Sequence, residues 1–167
     1  MGLEVILVRH AIAFDRDRAR WPDDRDRPLS PKGKRKFRKA MPGLARWLPK
    51  IDTLLTSPLV RTRQTADILT DEAGWPEGID TPELAPSGSP EAVLTLLRGR
   101  TEKRVALVGH EPRLGELLAL CVAGPGARAF APLKKGSVAC VEFEGEVAAG
   151  QGTLTAFVPP RVLRKMD

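Results

Sequence analysis

The chain contains only two histidines, and each one follows a short apolar segment of the same kind. Residues 3–8 precede Arg9 and His10, and residues 104–109 precede His110. Apolar runs that are rich in β-branched residues are typical of strands buried within a parallel sheet. Because ligands of open α/β sheets bind beyond the carboxyl ends of the strands, two neighbouring strands would bring both imidazoles to one crevice.

Arg9 and His10 together have the chemistry of a phosphate site. A neutral imidazole is nucleophilic enough to accept a phosphoryl group, and a covalent intermediate divides one difficult displacement into two easier steps. The guanidinium of Arg9 stays charged and binds phosphate oxygens in a bidentate manner. The alternative is a histidine that only ends a strand and hydrogen-bonds to the backbone. The second strand-end histidine favours the catalytic interpretation.

Arg61 adds a third segment to this pattern. Ser57-Pro58 predicts a helix start, which places Arg61 in the first turn, where the helix dipole disfavours a cation. We therefore expect an anion between Arg61 and the helix; a surface salt bridge is the other explanation. Gly109 is expected to let backbone or a ligand approach closely, and His110 to donate a hydrogen bond to phosphoryl oxygens in the transition state.

The elements that must position these residues alternate between strand and helix. Strands are predicted at 3–9, 51–56 and 104–109, and three Ser-Pro pairs, each an N-cap with a first-turn proline, predict helix starts. The remaining predictions are a break in the first helix at Pro42-Gly43, a short extended piece near Glu83-Leu84, a helix over 114–122 and a hairpin from 138–143 and 154–158. This order predicts a three-layer α/β sandwich with a mostly parallel central sheet, a C-terminal antiparallel hairpin and one domain over 1–167.

The composition fits a globular protein with a positive surface. The chain has 167 residues, of which 42% are hydrophobic and 29% charged, and its net charge is +6. Cys121 and Cys140 lie in apolar segments and are expected to be buried free thiols. No apolar stretch is long enough to span a bilayer and no secretion signal is visible, so we expect a cytoplasmic protein.

Two other classes of function are weighed on the charged segments. Six of the eight residues over 32–39 are basic, which indicates either a solvated helix face or a docking surface for an acidic protein or polyanion. A nucleic-acid-binding module would explain the charge, but the chain has no zinc-finger spacing, only 5% aromatic residues and no tyrosine. A metal hydrolase is disfavoured because arginines alternate with the aspartates of residues 15–26, so we expect activity without a metal or other cofactor.

The motifs taken together resemble the histidine phosphatase superfamily. They are Arg9-His10, Ser57-Pro58-x-x-Arg61-x-x-Gln64-Thr65-Ala66 and Val108-Gly109-His110, in this order. The short length and three further motifs resemble the small SixA-type phosphohistidine phosphatases: Arg9-His10-Ala11-Ile12-Ala13, Arg27-Pro28-Leu29-Ser30-x-x-Gly33 and Pro82-Glu83-Leu84-x-Pro86-x-Gly88. The resemblance implies a phosphoglycerate mutase-like fold. It also implies a phosphatase in which His10 is the phosphorylated nucleophile and Arg9, Arg61 and His110 bind the phosphate.

The resemblance leaves the general acid and the substrate open. Glu83 lies where such an acid is found in many members and is a candidate for the acid or for a substrate contact, but it is equally an exposed loop carboxylate. Asp15 and Asp17 are weaker candidates. The missing insertions imply a shallow site, which suits a phosphohistidine presented by another protein. A broad-specificity phosphatase of small phosphomonoesters is the alternative within the superfamily.

Overall fold

The computed structural model describes residues 2–166. Six strands form a single sheet in the order β3-β2-β4-β1-β5-β6. The strands are β1 (Leu3–Arg9), β2 (Thr53–Thr56), β3 (Gly78–Asp80), β4 (Arg104–Gly109), β5 (Val138–Phe143) and β6 (Thr153–Val158). The four strands from β3 to β1 are parallel, and β5 and β6 run antiparallel to their neighbours. The prediction of a mostly parallel sheet with a C-terminal hairpin is confirmed.

Helices cover both faces of the sheet. They are α1 (Pro31–Arg38), α2 (Met41–Trp47), α3 (Val60–Ala73), α4 (Pro90–Leu97), α5 (Arg113–Ala123) and α6 (Pro160–Leu163). Alternate residues of β1 separate the two cores: Ile6 packs with α1, α2 and α3, whereas Val5 and Leu7 pack with α4 and α5. Because successive side chains of a strand point to opposite faces, one buried strand supplies both cores. The predicted three-layer α/β sandwich is therefore confirmed.

The two histidine-bearing strands are direct neighbours. β1 pairs with β4 in parallel, and Arg9 lies opposite Gly109 at the carboxyl ends. The backbone N–H of His10 donates to Gly109 O at 3.1 Å, which ties the two strand ends together. The predicted meeting of both histidines at one edge of the sheet is confirmed.

The first helix is capped and divided as expected. Ser30 Oγ accepts from Gly33 N at 3.0 Å, and the chain leaves the helix before Pro42 to begin α2. A Cβ atom at Gly33 would collide with the backbone oxygen of Ile12, so only glycine permits this approach of α1 to the segment that follows β1.

The prediction for the start of the third helix was wrong. α3 begins at Val60 and no side chain caps it, because the hydroxyl of Ser57 contacts His110 instead. Gly109 also has a close neighbour. A Cβ there would come within 3.1 Å of the Leu114 side chain, so the protein group that approaches is a side chain of α5; the close approach of a ligand stays a prediction.

The extended piece expected near Glu83-Leu84 lies earlier in the chain. Gly78–Asp80 forms the strand that pairs with β2, whereas Pro82–Leu84 is a single 3-10 turn. Proline lacks the N–H that a ladder requires and is pre-organised for the first position of a turn, which accounts for this local structure.

Both cysteines are buried and free, as predicted, and burial raises the pKa of each thiol to about 12. No helix within residues 2–166 is long and apolar enough to cross a membrane.

Candidate active site

His10 and His110 lie side by side where β1 and β4 end. Their ring centroids are 5.3 Å apart and the ring planes meet at 60°. Both side chains are buried, with exposed fractions of 6% and 3%. Their environment therefore depends on the groups packed around them more than on solvent.

A hydrogen bond to the backbone sets the protonation of the His10 ring. Nδ1 lies 2.6 Å from Ala11 O, and a carbonyl can only accept, so Nδ1 carries the proton. Burial lowers the pKa of His10 to about 3, and the neighbouring His110, Arg61 and Arg9 act in the same direction against the Ala11 hydrogen bond. The ring is therefore neutral near pH 7, and Nε2 keeps its lone pair with no hydrogen-bond partner among residues 2–166.

The loop that holds Ala11 is fixed by the motif on α3. Ala11 N donates to Thr65 Oγ1 at 3.1 Å, and this hydroxyl donates to Arg61 O at 2.7 Å. Gln64 Oε1 accepts from Leu29 N at 2.8 Å and so ties α3 to the segment before α1. The Gln-Thr pair of the motif therefore positions backbone around the site.

His110 is held through Nε2, whereas His10 is held through Nδ1. Nε2 lies 2.8 Å from Oγ of Ser57, a fully buried residue that follows the end of β2. Burial lowers the pKa of His110 to about 3, with Arg61 and Arg9 adding to the shift. Sequence analysis missed this role of Ser57. Three strand ends carrying Ser57, His10 and His110 are the signal that could have found it.

Two guanidiniums, that of buried Arg61 and that of half-buried Arg9, complete the cluster. Arg61 donates from one terminal nitrogen to Asp24 O at 2.8 Å and pairs through the other with Asp24 Oδ2 at 3.1 Å. Arg9 donates to Leu133 O at 2.8 Å. The Nε–H groups of Arg9 and Arg61 are buried and have no partner among the described residues. Because unmet buried donors are costly, they indicate an anion that would accept from them.

Arg9, His10, Arg61 and His110 line a cleft of about 340 Å³. The charged residues that join them there are Asp15, Arg16, Asp24, Arg27, Glu111 and Lys135. Five cationic side chains therefore face three carboxylates, and the excess positive charge suits an anionic ligand. The structure brings together all four residues that the sequence analysis named as the phosphate site.

Asp24 and Arg27 were not predicted as site residues. The Asp24 carboxylate bridges two arginines, with Oδ1 2.7 Å from Nε of Arg27 and Oδ2 3.1 Å from Arg61. The hydrogen bond from Arg27 is the main reason why the pKa of Asp24 lies below its usual range. The alternation of Arg and Asp over residues 15–27 was visible in the sequence, but only the fold shows which members turn inward.

The structure does not bring Glu83 to the cleft. Glu83 is half-buried and lines a separate small cavity on the other side of His110. Asp15 lines the cleft, whereas the Asp17 carboxylate accepts from Ala19 N at 3.0 Å within its own loop.

Glu111, which sequence analysis did not consider, does line the cleft. Its Oε1 accepts from Leu133 N at 3.2 Å. Burial raises its pKa, while that hydrogen bond and nearby Arg9 oppose the shift. A carboxylate that holds a backbone N–H in this way is suited to positioning the segment around Leu133. Within residues 2–166, no group of three or more His, Cys, Asp or Glu residues could hold a metal ion.

Known proteins are similar to this chain in sequence and in fold. Residues 5–85 match the histidine phosphatase superfamily (branch 1). A curated relative, an uncharacterised protein of Picosynechococcus sp. (strain ATCC 27264 / PCC 7002 / PR-6), is 38% identical over 117 residues, which cover 68% of this chain and 70% of the relative.

Solved structures of phosphatases are also similar to this chain. The protein histidine phosphatase SixA complexed with tungstate is 26% identical, with a TM-score of 0.78 over 96% of this chain and 99% of that one. A putative phosphohistidine phosphatase SixA from Agrobacterium tumefaciens (24% identical, TM-score 0.72, 95% and 98% covered) shares the fold. So does a mycobacterial glucosyl-3-phosphoglycerate phosphatase (17%, 0.70, 95% and 100%).

The chain belongs to branch 1 of the histidine phosphatase superfamily and is a hydrolase of the phosphatase class. Within that superfamily it is of the SixA type.

Proposed function

We propose that this phosphatase removes the phosphoryl group from phosphohistidine in a protein, through a phosphohistidine intermediate on Nε2 of His10. The observation that carries the proposal is the 2.6 Å hydrogen bond between His10 Nδ1 and Ala11 O. It fixes the ring proton on Nδ1 and leaves a neutral nucleophilic nitrogen in a cationic cleft.

In the first step, the lone pair of His10 Nε2 attacks phosphorus opposite the leaving group. A bond forms between Nε2 and phosphorus, and the bond between phosphorus and the substrate ring breaks. The electron pair leaves on that ring, which is protonated on its other nitrogen and so departs as neutral imidazole. Arg9 and Arg61 donate to the three equatorial oxygens, where the charge is concentrated. The phosphorylated His10 ring is cationic, and its Nδ1–H donates to Ala11 O, which stabilises the charge.

His110 assists from the neighbouring strand. We take the Ser57 hydroxyl, 2.8 Å from Nε2 of His110, as the donor in this contact. This assignment places the ring proton of His110 on Nδ1, from which it can be donated to a phosphoryl oxygen. A donor held in place before the reaction needs no reorganisation when charge develops, which is the main source of such stabilisation.

In the second step, water attacks the phosphorus of phosphohistidine. The bond between phosphorus and Nε2 breaks, neutral His10 is restored, and phosphate leaves with the hydroxyl of the water; the remaining proton passes to phosphate or solvent. Arg9 and Arg61 bind the phosphoryl oxygens in both steps, because phosphorus stays in nearly the same place while its configuration inverts.

The chemistry of the cleft supports a phosphohistidine substrate. An alkoxide leaving group needs a positioned acid, whereas imidazole departs readily without one. Arg27 keeps Asp24 ionised, so Asp24 is not set to protonate an alkoxide. Glu111 is engaged with the backbone N–H of Leu133, and the phosphoserine peptide in the test below measures whether Glu111 or Asp15 acts as an acid. The similarity to SixA, described as a protein histidine phosphatase, supports the same substrate class.

The test compares substrates that differ only in the leaving group. Two peptides of one sequence, one with phosphohistidine and one with phosphoserine at the same position, are assayed in EDTA beside p-nitrophenyl phosphate. We expect kcat/KM to be about a hundredfold or more higher for phosphohistidine, since general acid catalysis is worth about 10²–10⁴ to an ester. Equal or faster hydrolysis of phosphoserine would support the small-ester alternative, and activity that requires an added divalent ion would contradict the mechanism.

A further inference from the structure

A second cavity opens directly beside the catalytic cleft. It has a volume of about 350 Å³ and shares Arg9 and Lys135 with the cleft. We call it the basic groove and define it by its other cations, Lys36 on α1, Lys134 before β5 and Arg164 after α6. Its apolar lining includes Ile12, Phe37 and Pro160.

The charge of the basic groove is of one sign. Among residues 2–166, the five charged residues that line it are all cationic. Elsewhere on the surface arginines have acidic partners, as in the pairs Arg38–Glu72 and Arg63–Asp80. Within residues 2–166, neither Lys36 nor Arg164 forms an ion pair.

The cations of the basic groove repel one another in the free protein, and a bound anion would reduce this repulsion. Burial, together with Arg9 and Arg27, holds the pKa of Lys135 below its usual range. Like charges that converge from four segments destabilise the free protein, and an anionic partner would offset this repulsion. The apolar lining would accept hydrocarbon parts of the same partner.

We infer that the basic groove binds acidic residues that flank the phosphorylated histidine of the protein substrate. The inference rests on the proposed function and names the part of the substrate that lies beyond the phosphoryl group. The shared residues Arg9 and Lys135 make the groove continuous with the cleft, so a chain segment whose phosphohistidine enters the cleft extends into the groove. Its carboxylates would pair with Lys36, Lys134 and Arg164.

The structure also separates the basic run of α1 into two parts. Lys36 lines the basic groove, whereas Lys34, Arg35 and Arg38 line a different cavity on the other side of the helix. Lys32 and Lys39 are exposed and line neither. Lys32 and Lys39 therefore provide a matched control, because their substitution removes the same charge outside the basic groove.

The first measurement is binding, which is independent of catalysis. A fluorescein-labelled peptide carries histidine flanked by four glutamates, and its control has four glutamines. We expect the glutamate peptide to bind the wild type more tightly, and Lys36→Gln/Arg164→Gln to weaken its binding about five- to tenfold. Lys32→Gln/Lys39→Gln, with the same change in net charge, should keep wild-type affinity. Equal binding of both peptides, or equal losses in both variants, would overturn the inference.

The second measurement is turnover of the same peptides phosphorylated on histidine. We expect the glutamate peptide to have the lower KM, and this preference to shrink in Lys36→Gln/Arg164→Gln only. Added salt should reduce it, because exposed ion pairs are screened. Circular dichroism and the melting temperature show that each variant is folded.

The two proposals fail in different ways. If the glutamate peptide binds through the groove but phosphohistidine is not hydrolysed, the groove stands and the proposed phosphohistidine activity is wrong. If both phosphopeptides are hydrolysed with equal KM and bind equally, the activity stands and the groove inference is wrong.

Discussion

The two strand ends have the same local pattern and different hydrogen bonds. At the end of β1, His10 uses Nδ1 to contact the carbonyl of the next residue, 2.6 Å away. At the end of β4, His110 uses Nε2 to contact Ser57, which lies 53 positions away along the chain. The free nitrogen is therefore Nε2 in one ring and Nδ1 in the other.

The difference shows how one structural pattern can give two chemical roles. A carbonyl only accepts, so the partner of His10 fixes a neutral ring with an unprotonated Nε2, as a nucleophile requires. A hydroxyl can donate, so the partner of His110 allows a ring that presents N–H to the cleft. Burial lowers the pKa of both to about 3, so the roles differ by tautomer and not by charge.

The largest expected effect comes from removing each histidine in turn. His10→Ala should lower kcat by at least about a thousandfold and abolish the phosphoenzyme, because the substitution removes the nitrogen proposed to accept the phosphoryl group. His110→Ala should lower kcat about a hundred- to a thousandfold, as for loss of one transition-state donor, and still form an acid-labile phosphoenzyme. Rapid quenching with labelled substrate measures both. A phosphoenzyme in His10→Ala, or none in His110→Ala, would reverse the assignment.

A smaller effect is expected from the partner of His110. Ser57→Ala should lower kcat about tenfold with little change in KM, because the ring of His110 loses the group that sets its tautomer and orientation. Ser137→Ala is the matched control, since Ser137 is a buried serine whose hydroxyl has no partner among the described residues. Equal kcat values in the two variants would show that the Ser57 contact has no catalytic role.

A different kind of effect, on stability and not on turnover, is expected in acid. The pKa of each histidine is about 3 in the folded chain and about 6.5 when unfolded, so only the unfolded state binds protons between these values. Unfolding free energy should be unaffected by these groups above pH 6.5 and should fall below it, by up to about 1.4 kcal/mol per pH unit for each histidine.

Unfolding by guanidinium chloride at pH 7, 6 and 5 measures how the free energy of unfolding depends on pH. The double variant His10→Asn/His110→Asn lacks both titrating groups, so its stability should depend less on pH in this interval. The same slope in both proteins would mean that the histidines are not held neutral in the folded state.

The sequence was most informative where a local pattern has a single physical consequence. The apolar runs form buried strands, and Ser30 and Ser89 cap α1 and α4 as predicted. The same reasoning was wrong for Ser57, because a tertiary contact with His110 competes for its hydroxyl. It missed Asp24 and Arg27, since their alternating loop gives no periodicity to show which side chains turn inward.

The sequence by itself indicated five of the six strands, the layered architecture and the four residues that meet in the cleft, because buried strands follow from neighbours along the chain. Only the tertiary structure decided which ring nitrogen is free in each histidine, which carboxylates line the cleft, and that the basic groove joins it. Those properties depend on groups from β2, the loop before α1 and the segment after α6. Their contacts are set by packing across the sheet, which no local pattern encodes.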